Sequence, residues 1–231
     1  TAMELGGSAP FLVFDDADLN AAVDGAVAAK MRNIGQACTA ANRFLVQRGI
    51  ADEFGTRLAE RMAALPVGRG TDDGVVVGPL IDRAAIDKVA GLVDDATARG
   101  ATVVLGAEPL DRPGFFYPAT VLTGIPDDAA MCHTEVFGPV AAISTFDTED
   151  EAVRRANDTP YGLVSYVYTE NLRRGLRVSE ALETGMVGLN QGVVSNPAAP
   201  FGGVKESGLG REGGFAGIDE FLETKYIGVA L

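Results

Sequence analysis

The residues of this chain best equipped for chemistry are a carboxylate and a thiol, both near the N-terminal end and both beside glycine. Glu4 opens the run Glu4-Leu5-Gly6-Gly7, and Cys38 ends the run Asn33-Ile34-Gly35-Gln36-Ala37-Cys38. A thiol attacks carbonyl carbon only as thiolate. Its unperturbed pKa of about 8.5 leaves little of it ionised at neutral pH, so its surroundings are expected to raise that fraction. Glu4 is a candidate to assist, or to activate a water in a later step. The apolar and small neighbours Met3, Leu5, Gly6 and Gly7 predict a partly buried carboxylate whose desolvation raises its pKa towards general-base work. The two glycines let the backbone pack close to a bound cofactor. Cys38 follows small and polar residues in an expected loop, where backbone amides can turn towards a reacting oxygen.

Three further groups carry chemical potential. Glu135-Val136-Phe137-Gly138-Pro139 joins a carboxylate and an aromatic to a tight turn. By residue type and position, Arg32 reads as a cation at a helix C-terminus, where it meets the dipole favourably, and Ser195 as a turn former. His133, beside Cys132, is the one histidine, and a thiol with a histidine would suit a thiol hydrolase. That reading leaves Glu4 and Glu135 unexplained, so His133 is expected to be a solvated loop residue.

These groups need rigid elements to hold them. Leu19, Ala22, Val23, Ala26, Val27 and Met31 recur at helical steps after Asp15, Asp16 and Asp18, which can cap a helix leading to Cys38. Ile50 to Leu65 and Ile86 to Ala96 repeat the period, the latter ended by Gly100, and further helices are predicted over 149–157 and 171–182. Short apolar runs at 44–47, 102–105, 140–146, 163–169 and 186–190 alternate with them, which predicts an α/β fold on a largely parallel sheet flanked by helices. Gly and Pro clusters mark loops, and residues 221–231 have strand potential.

Composition narrows the function classes. The chain has 231 residues, of which 47% are hydrophobic, enough for a substantial core. Its 32 acidic residues against 19 basic ones give a net charge of −13, which disfavours nucleic acid and anionic membrane surfaces as partners. No apolar run is long enough to cross a bilayer, and Cys38 and Cys132 form neither a disulfide framework nor a metal-ligand spacing, so no metal site and a cytoplasmic location are expected.

The Glu-Leu-Gly-Gly segment, the Gly-Gln-x-Cys segment, the Glu135–Pro139 block and Pro200-Phe201-Gly202-Gly203-Val204-Lys205-Glu206-Ser207-Gly208 resemble, in order and spacing, the aldehyde dehydrogenase superfamily. The resemblance spans essentially the whole chain but only the second half of that family's polypeptide. It implies residues 1–7 as the end of a cofactor-binding domain, 8–212 as the catalytic domain and 213–231 as an oligomerisation arm whose strand pairs with a neighbouring subunit in a dimer or tetramer. It implies Cys38 as nucleophile, Glu4 as the base for the hydrolytic water, and Leu5, Gly6, Glu135 and Phe137 as contacts to NAD or NADP. It further implies an Arg211–Glu223 ion pair tying down the arm.

The stretch from Gly185 to Gly213 is similar to the succinate-semialdehyde dehydrogenase branch, in which the residues matching Arg32 and Ser195 hold the substrate carboxylate, with Phe201 beside them. A second cysteine common in that branch is Ala40 here, so no disulfide switch is expected at that position. Oxidation of succinic semialdehyde is the implied reaction. Another ω-carboxyl or amino aldehyde, or a non-catalytic subunit-contact role, is the alternative, and the chain by itself is expected to be inactive.

Overall fold

A computed structural model describes residues 1–231. The strands, in chain order, are β1 (Met3–Glu4), β2 (Ala9–Val13), β3 (Ala41–Gln47), β4 (Thr102–Leu105), β5 (Thr120–Thr123), β6 (Val140–Phe146), β7 (Tyr161–Gly162), β8 (Val164–Tyr168), β9 (Met186–Leu189), β10 (Val204–Lys205) and β11 (Gly208–Leu209). The helices are α1 (Leu19–Met31), α2 (Ala51–Ala63), α3 (Arg83–Ala98), α4 (Ala130–His133), α5 (Glu149–Asn157) and α6 (Leu172–Ala181).

Seven strands form one sheet in the order β4-β5-β6-β3-β2-β8-β9. Every neighbouring pair is parallel except β4–β5, so the sheet is mixed at one edge. No helix lies between β4 and β5, and a parallel pair would need such a crossover. The central strand β2 is buried along its whole length. Phe11 and Val13 join the larger core with Phe44, Tyr166 and Tyr168, while Leu12 joins the smaller core with Leu45, Phe146 and Val178 on the other face. Phe11 stacks on Tyr168 with ring centroids 5.0 Å apart.

Three features bring the chemistry to one end of this sheet. Asp18 caps α1 by accepting from the amides of Asn20 and Ala21, so the helix runs straight to the loop before Cys38. Asn33, Ile34 and Gly35 then adopt left-handed φ angles of 49°, 51° and 77°, which reverse the chain into β3. Such angles cost a non-glycine residue roughly 1–2 kcal/mol each, so packing must hold them. Finally, β1 pairs antiparallel with β11 through Met3–Leu209 and Glu4–Gly208, which straps the N-terminal segment to the far end of the sequence.

Residues Ala216–Phe221 form a 3-10 helix, and residues 222–231 have no strand partner and are exposed. Arg211 donates to the carbonyls of Gly203 and Gly210 and makes no ion pair with Glu223, contrary to the sequence-based expectation. The guanidinium is held by the turns on either side of it. No helix is long and apolar enough to cross a membrane.

Candidate active site

The Glu4–Gly7 strap passes between Cys38 and Glu135. A Cβ on Gly7 would run into the carbonyl oxygen of Cys38, and one on Gly6 would lie 2.9 Å from Glu135 Oε2. The amide of Gly7 donates to Glu135 Oε1 at 3.1 Å. The glycines are therefore required because two loops close on the same backbone, and the carboxylates and the thiol share one place. Ser207, fully buried, fixes the strap from below: its hydroxyl donates to Gly6 O at 2.7 Å and accepts from the amide of Gly162 at 2.9 Å.

The Cys38 thiol is half-buried. Its pKa is pushed up, first by burial and then by the charges of Glu4 and Glu135; the amides of Cys38 and Thr39 donate to the sulfur and pull the other way. This corrects the expectation that the surroundings favour thiolate: two carboxylates face the sulfur, and no cation counters them. The amides remain the groups able to steady negative charge at this point. Tyr166 keeps the loop in place, its buried hydroxyl donating to Thr39 O at 2.8 Å.

Glu4 is exposed rather than partly buried, because Met3 and Leu5 on either side of it are themselves exposed. Its pKa is still raised, by residual desolvation and by repulsion from Glu212, with Arg211 opposing. A carboxyl biased towards a higher pKa suits proton abstraction from water. Its Oε1 lies against Gly202, which would bring a Cβ within 3.1 Å of it.

Glu135 is half-buried, and burial raises its pKa against the Gly7 amide, Lys88 and Lys30. Phe137 is 37% exposed with a left-handed φ of 55°. A bulky residue held outward in that conformation costs free energy that the surrounding structure must supply. An acceptor carboxylate, a bare glycine backbone and an outward aromatic together could hold a nicotinamide nucleotide, the carboxylate by its ribose hydroxyls and the aromatic by its ring.

Arg32, six residues before Cys38, donates from Nη1 to Ser195 Oγ at 3.0 Å. Ser195 and Phe201 line one open groove of about 560 Å³ together with Asn196, Pro197 and Glu212. The structure thus brings Arg32 to Ser195, Ser195 and Phe201 to one groove, and Glu135 to the Gly6–Gly7 backbone beside Leu5. His133 is exposed, with its Nε2 3.1 Å from Asp127 O. It lines, with Cys132, a separate cavity of about 80 Å³ that shares no residue with the Cys38 site. The Arg43 guanidinium in that cavity is engaged by the carbonyls of Ser8, Arg155 and Ala156.

Sequence reasoning missed Ser207, Tyr166 and the fully buried Lys30. The last of these had a signal in its setting, Ala28-Ala29-Lys30-Met31, where a charge interrupts a small and apolar run.

The sequence pattern of the aldehyde dehydrogenase family matches residues 1–227. A succinate-semialdehyde dehydrogenase of Paenarthrobacter nicotinovorans is 57% identical over 230 residues, covering all of this chain and 51% of that protein. A glutarate-semialdehyde dehydrogenase of Pseudomonas putida is 48% identical over 230 residues, again all of this chain and 48% of the relative. Among solved structures, an E. coli NADP-dependent enzyme superposes with a TM-score of 0.97 at 49% identity, over 100% of this chain and 48% of the other. The chain spans about half the length of the relatives it matches.

Proposed function

This chain belongs to the aldehyde dehydrogenase family, and we propose that the protein containing it oxidises succinic semialdehyde to succinate with NAD or NADP. The observation that carries the substrate half of this reading is the Arg32–Ser195 hydrogen bond beside the thiol loop. Arg32 makes no ion pair within the chain, and its other N–H groups have no protein acceptor, so they are available to a carboxylate. Glutaric semialdehyde, one methylene longer, is the second reading, supported by the relative that bears that name.

In this reading Cys38 adds as thiolate to the aldehyde carbon, and the amides of Cys38 and Thr39 steady the negative charge in the thiohemiacetal. The bound nicotinamide supplies a hydride acceptor. Glu135 and Phe137, with Leu5 and Gly6, hold the cofactor against the thiol. Glu4 takes a proton from the water that attacks the Cys38 thioester, and the raised pKa of its carboxyl supports that role. Arg32 and Ser195 hold the far carboxylate, and Phe201 closes the groove beside them.

Residues 1–7 then end a cofactor-binding domain, 8–212 form the catalytic domain, and 213–231 form the arm of a homo-oligomer. The exposed side chains of Phe215, Ile218, Phe221, Tyr226, Ile227 and Val229 support a protein partner for the arm.

Reduced-cofactor formation by the full-length protein on succinic semialdehyde, glutaric semialdehyde and butanal tests the whole proposal. The highest kcat/KM is expected for succinic semialdehyde. No cofactor reduction with any aldehyde would overturn the enzyme reading, and equal kcat/KM for butanal would overturn the carboxylate reading.

A further inference from the structure

Lys30 is more deeply buried than any other charged residue of the chain, with no exposed surface. It lies on α1, yet its Nζ reaches two other segments: it donates to Asn42 Oδ1 at 2.9 Å and to Gly138 O at 3.2 Å. Asn42, on β3, passes the connection on by donating to Gly7 O at 3.5 Å. The same Gly138 carbonyl is the atom that a Cβ on Gly35 would strike, so the loop before Cys38 packs directly on it. Three segments meet at the amine, the helix that leads to the thiol loop, the strand after the thiol and the turn that carries Glu135 and Phe137, and Asn42 links a fourth, the Gly6–Gly7 strap.

An apolar side chain would fill this space without the cost of desolvating an amine. The amine is explained by what it holds. We propose that Lys30 is a positioning residue for the cofactor, fastening the Glu135 turn to the Gly6–Gly7 strap and the Cys38 loop so that the Glu135 carboxylate and the Cys38 thiol keep a fixed separation. The inference rests on the reading of Glu135 as the ribose-binding carboxylate.

The amine also titrates in a useful range. Burial lowers its pKa to about 7, and Glu135 is the charge that acts on it in the opposite sense; Lys88, from α3, acts on Glu135. Asn42 and Gly138 contribute neutral acceptors only. An ammonium donates more strongly than a neutral amine, so the grip on the turn should weaken as pH rises through about 7.

The test is steady-state kinetics on the full-length protein as a function of pH, with Lys30→Met, Asn42→Asp and Glu135→Gln. Lys30→Met should raise the KM for NAD(P) by roughly ten- to a hundredfold, the equivalent of a charge-assisted hydrogen bond, while kcat stays within a few-fold. The unmodified protein should show its cofactor KM rising with pH through the neutral range, and that rise should be absent from Lys30→Met. Asn42→Asp puts a negative charge beside the amine and should move the rise to higher pH, a readout that does not need Lys30→Met to fold. An unchanged cofactor KM in Lys30→Met, or a fall in kcat alone, overturns the proposal, as does an Asn42→Asp profile that stays in place. If Glu135→Gln raises the cofactor KM and Lys30→Met does not, only the positioning role of Lys30 fails. If Glu135→Gln itself leaves KM unchanged, the ribose reading fails and takes this inference with it.

Discussion

Arg32 and Ser195, 163 positions apart, are joined by a 3.0 Å hydrogen bond in which the guanidinium is donor. Both side chains are exposed, so neither is held there by burial in the core. If they grip a substrate carboxylate, their removal should matter only for acidic aldehydes. A charge-assisted hydrogen bond contributes on the order of 1.5–3 kcal/mol, or roughly ten- to a hundredfold in kcat/KM. Arg32→Ala in the full-length protein is expected to lower kcat/KM for succinic semialdehyde by that factor while butanal changes by a few-fold at most, and Ser195→Ala should do the same more weakly. Equal losses on both substrates would make Arg32 a structural support for the Cys38 loop.

The thiol gives a prediction with a definite sign. Burial, Glu4 and Glu135 all raise the Cys38 pKa, so neutralising either carboxylate must lower it. The rate of Cys38 alkylation by iodoacetamide, followed against pH, should rise at lower pH in Glu4→Gln and Glu135→Gln than in the unmodified protein. Coincident profiles would show that neither charge reaches the sulfur. Glu4→Gln should also accumulate the acyl-enzyme, because the water loses its base; undiminished steady-state turnover would remove Glu4 from the mechanism.

What could be read from sequence was local or periodic. Leu19 to Met31 announced α1 because its apolar residues repeat at helical steps, and 102–105, 140–146 and 149–157 fell where β4, β6 and α5 lie. The strand Ala9–Val13 was missed: buried on both faces, it shows no alternation, and Pro10 sits at a register shift where no ladder amide is needed. Cys38 and Glu135 were identifiable from their motifs, but what joins them was not. Lys30 reads as a surface lysine until Gly138, 108 positions away, supplies its acceptor. The placement of Glu4 likewise depends on β11, which pairs with its strand from the opposite end of the chain.

The close approaches at Gly7 and Gly35 make a packing prediction. Gly7→Ala drives a methyl into Cys38 O, and Gly35→Ala drives one into Gly138 O while also requiring a left-handed alanine at φ 77°. Overpacking of this kind costs about 1–3 kcal/mol, and the backbone at Gly35 adds roughly 1–2 more. Both variants should melt below the unmodified full-length protein, Gly35→Ala lower than Gly7→Ala. Gly7→Ala should lose more activity than its stability loss explains, since the carbonyl it displaces belongs to Cys38. A Gly7→Ala enzyme with normal turnover would show that the strap can move away without disturbing the thiol.

Burial of Lys30 makes stability depend on pH in the same direction as a paired carboxylate does, but in the neutral-to-alkaline range rather than the acidic one. The folded-state pKa is about 7 against an ordinary 10.5 in the unfolded chain. Between those values the unfolded state binds more protons, so the stability contribution of this residue rises with pH; below about 7 the full cost of burying the ammonium is present, and above 10.5 it is gone. Lys30→Met removes the titration but leaves Asn42 Oδ1 and Gly138 O without their donor, a loss of about 1–3 kcal/mol that does not vary with pH. The two proteins should therefore differ by an amount that changes with pH: going from pH 7 to pH 10, the unmodified protein should gain stability relative to Lys30→Met. Denaturant unfolding at several pH values measures this directly. Parallel stability curves would mean that the lysine keeps an ordinary pKa and that water reaches it.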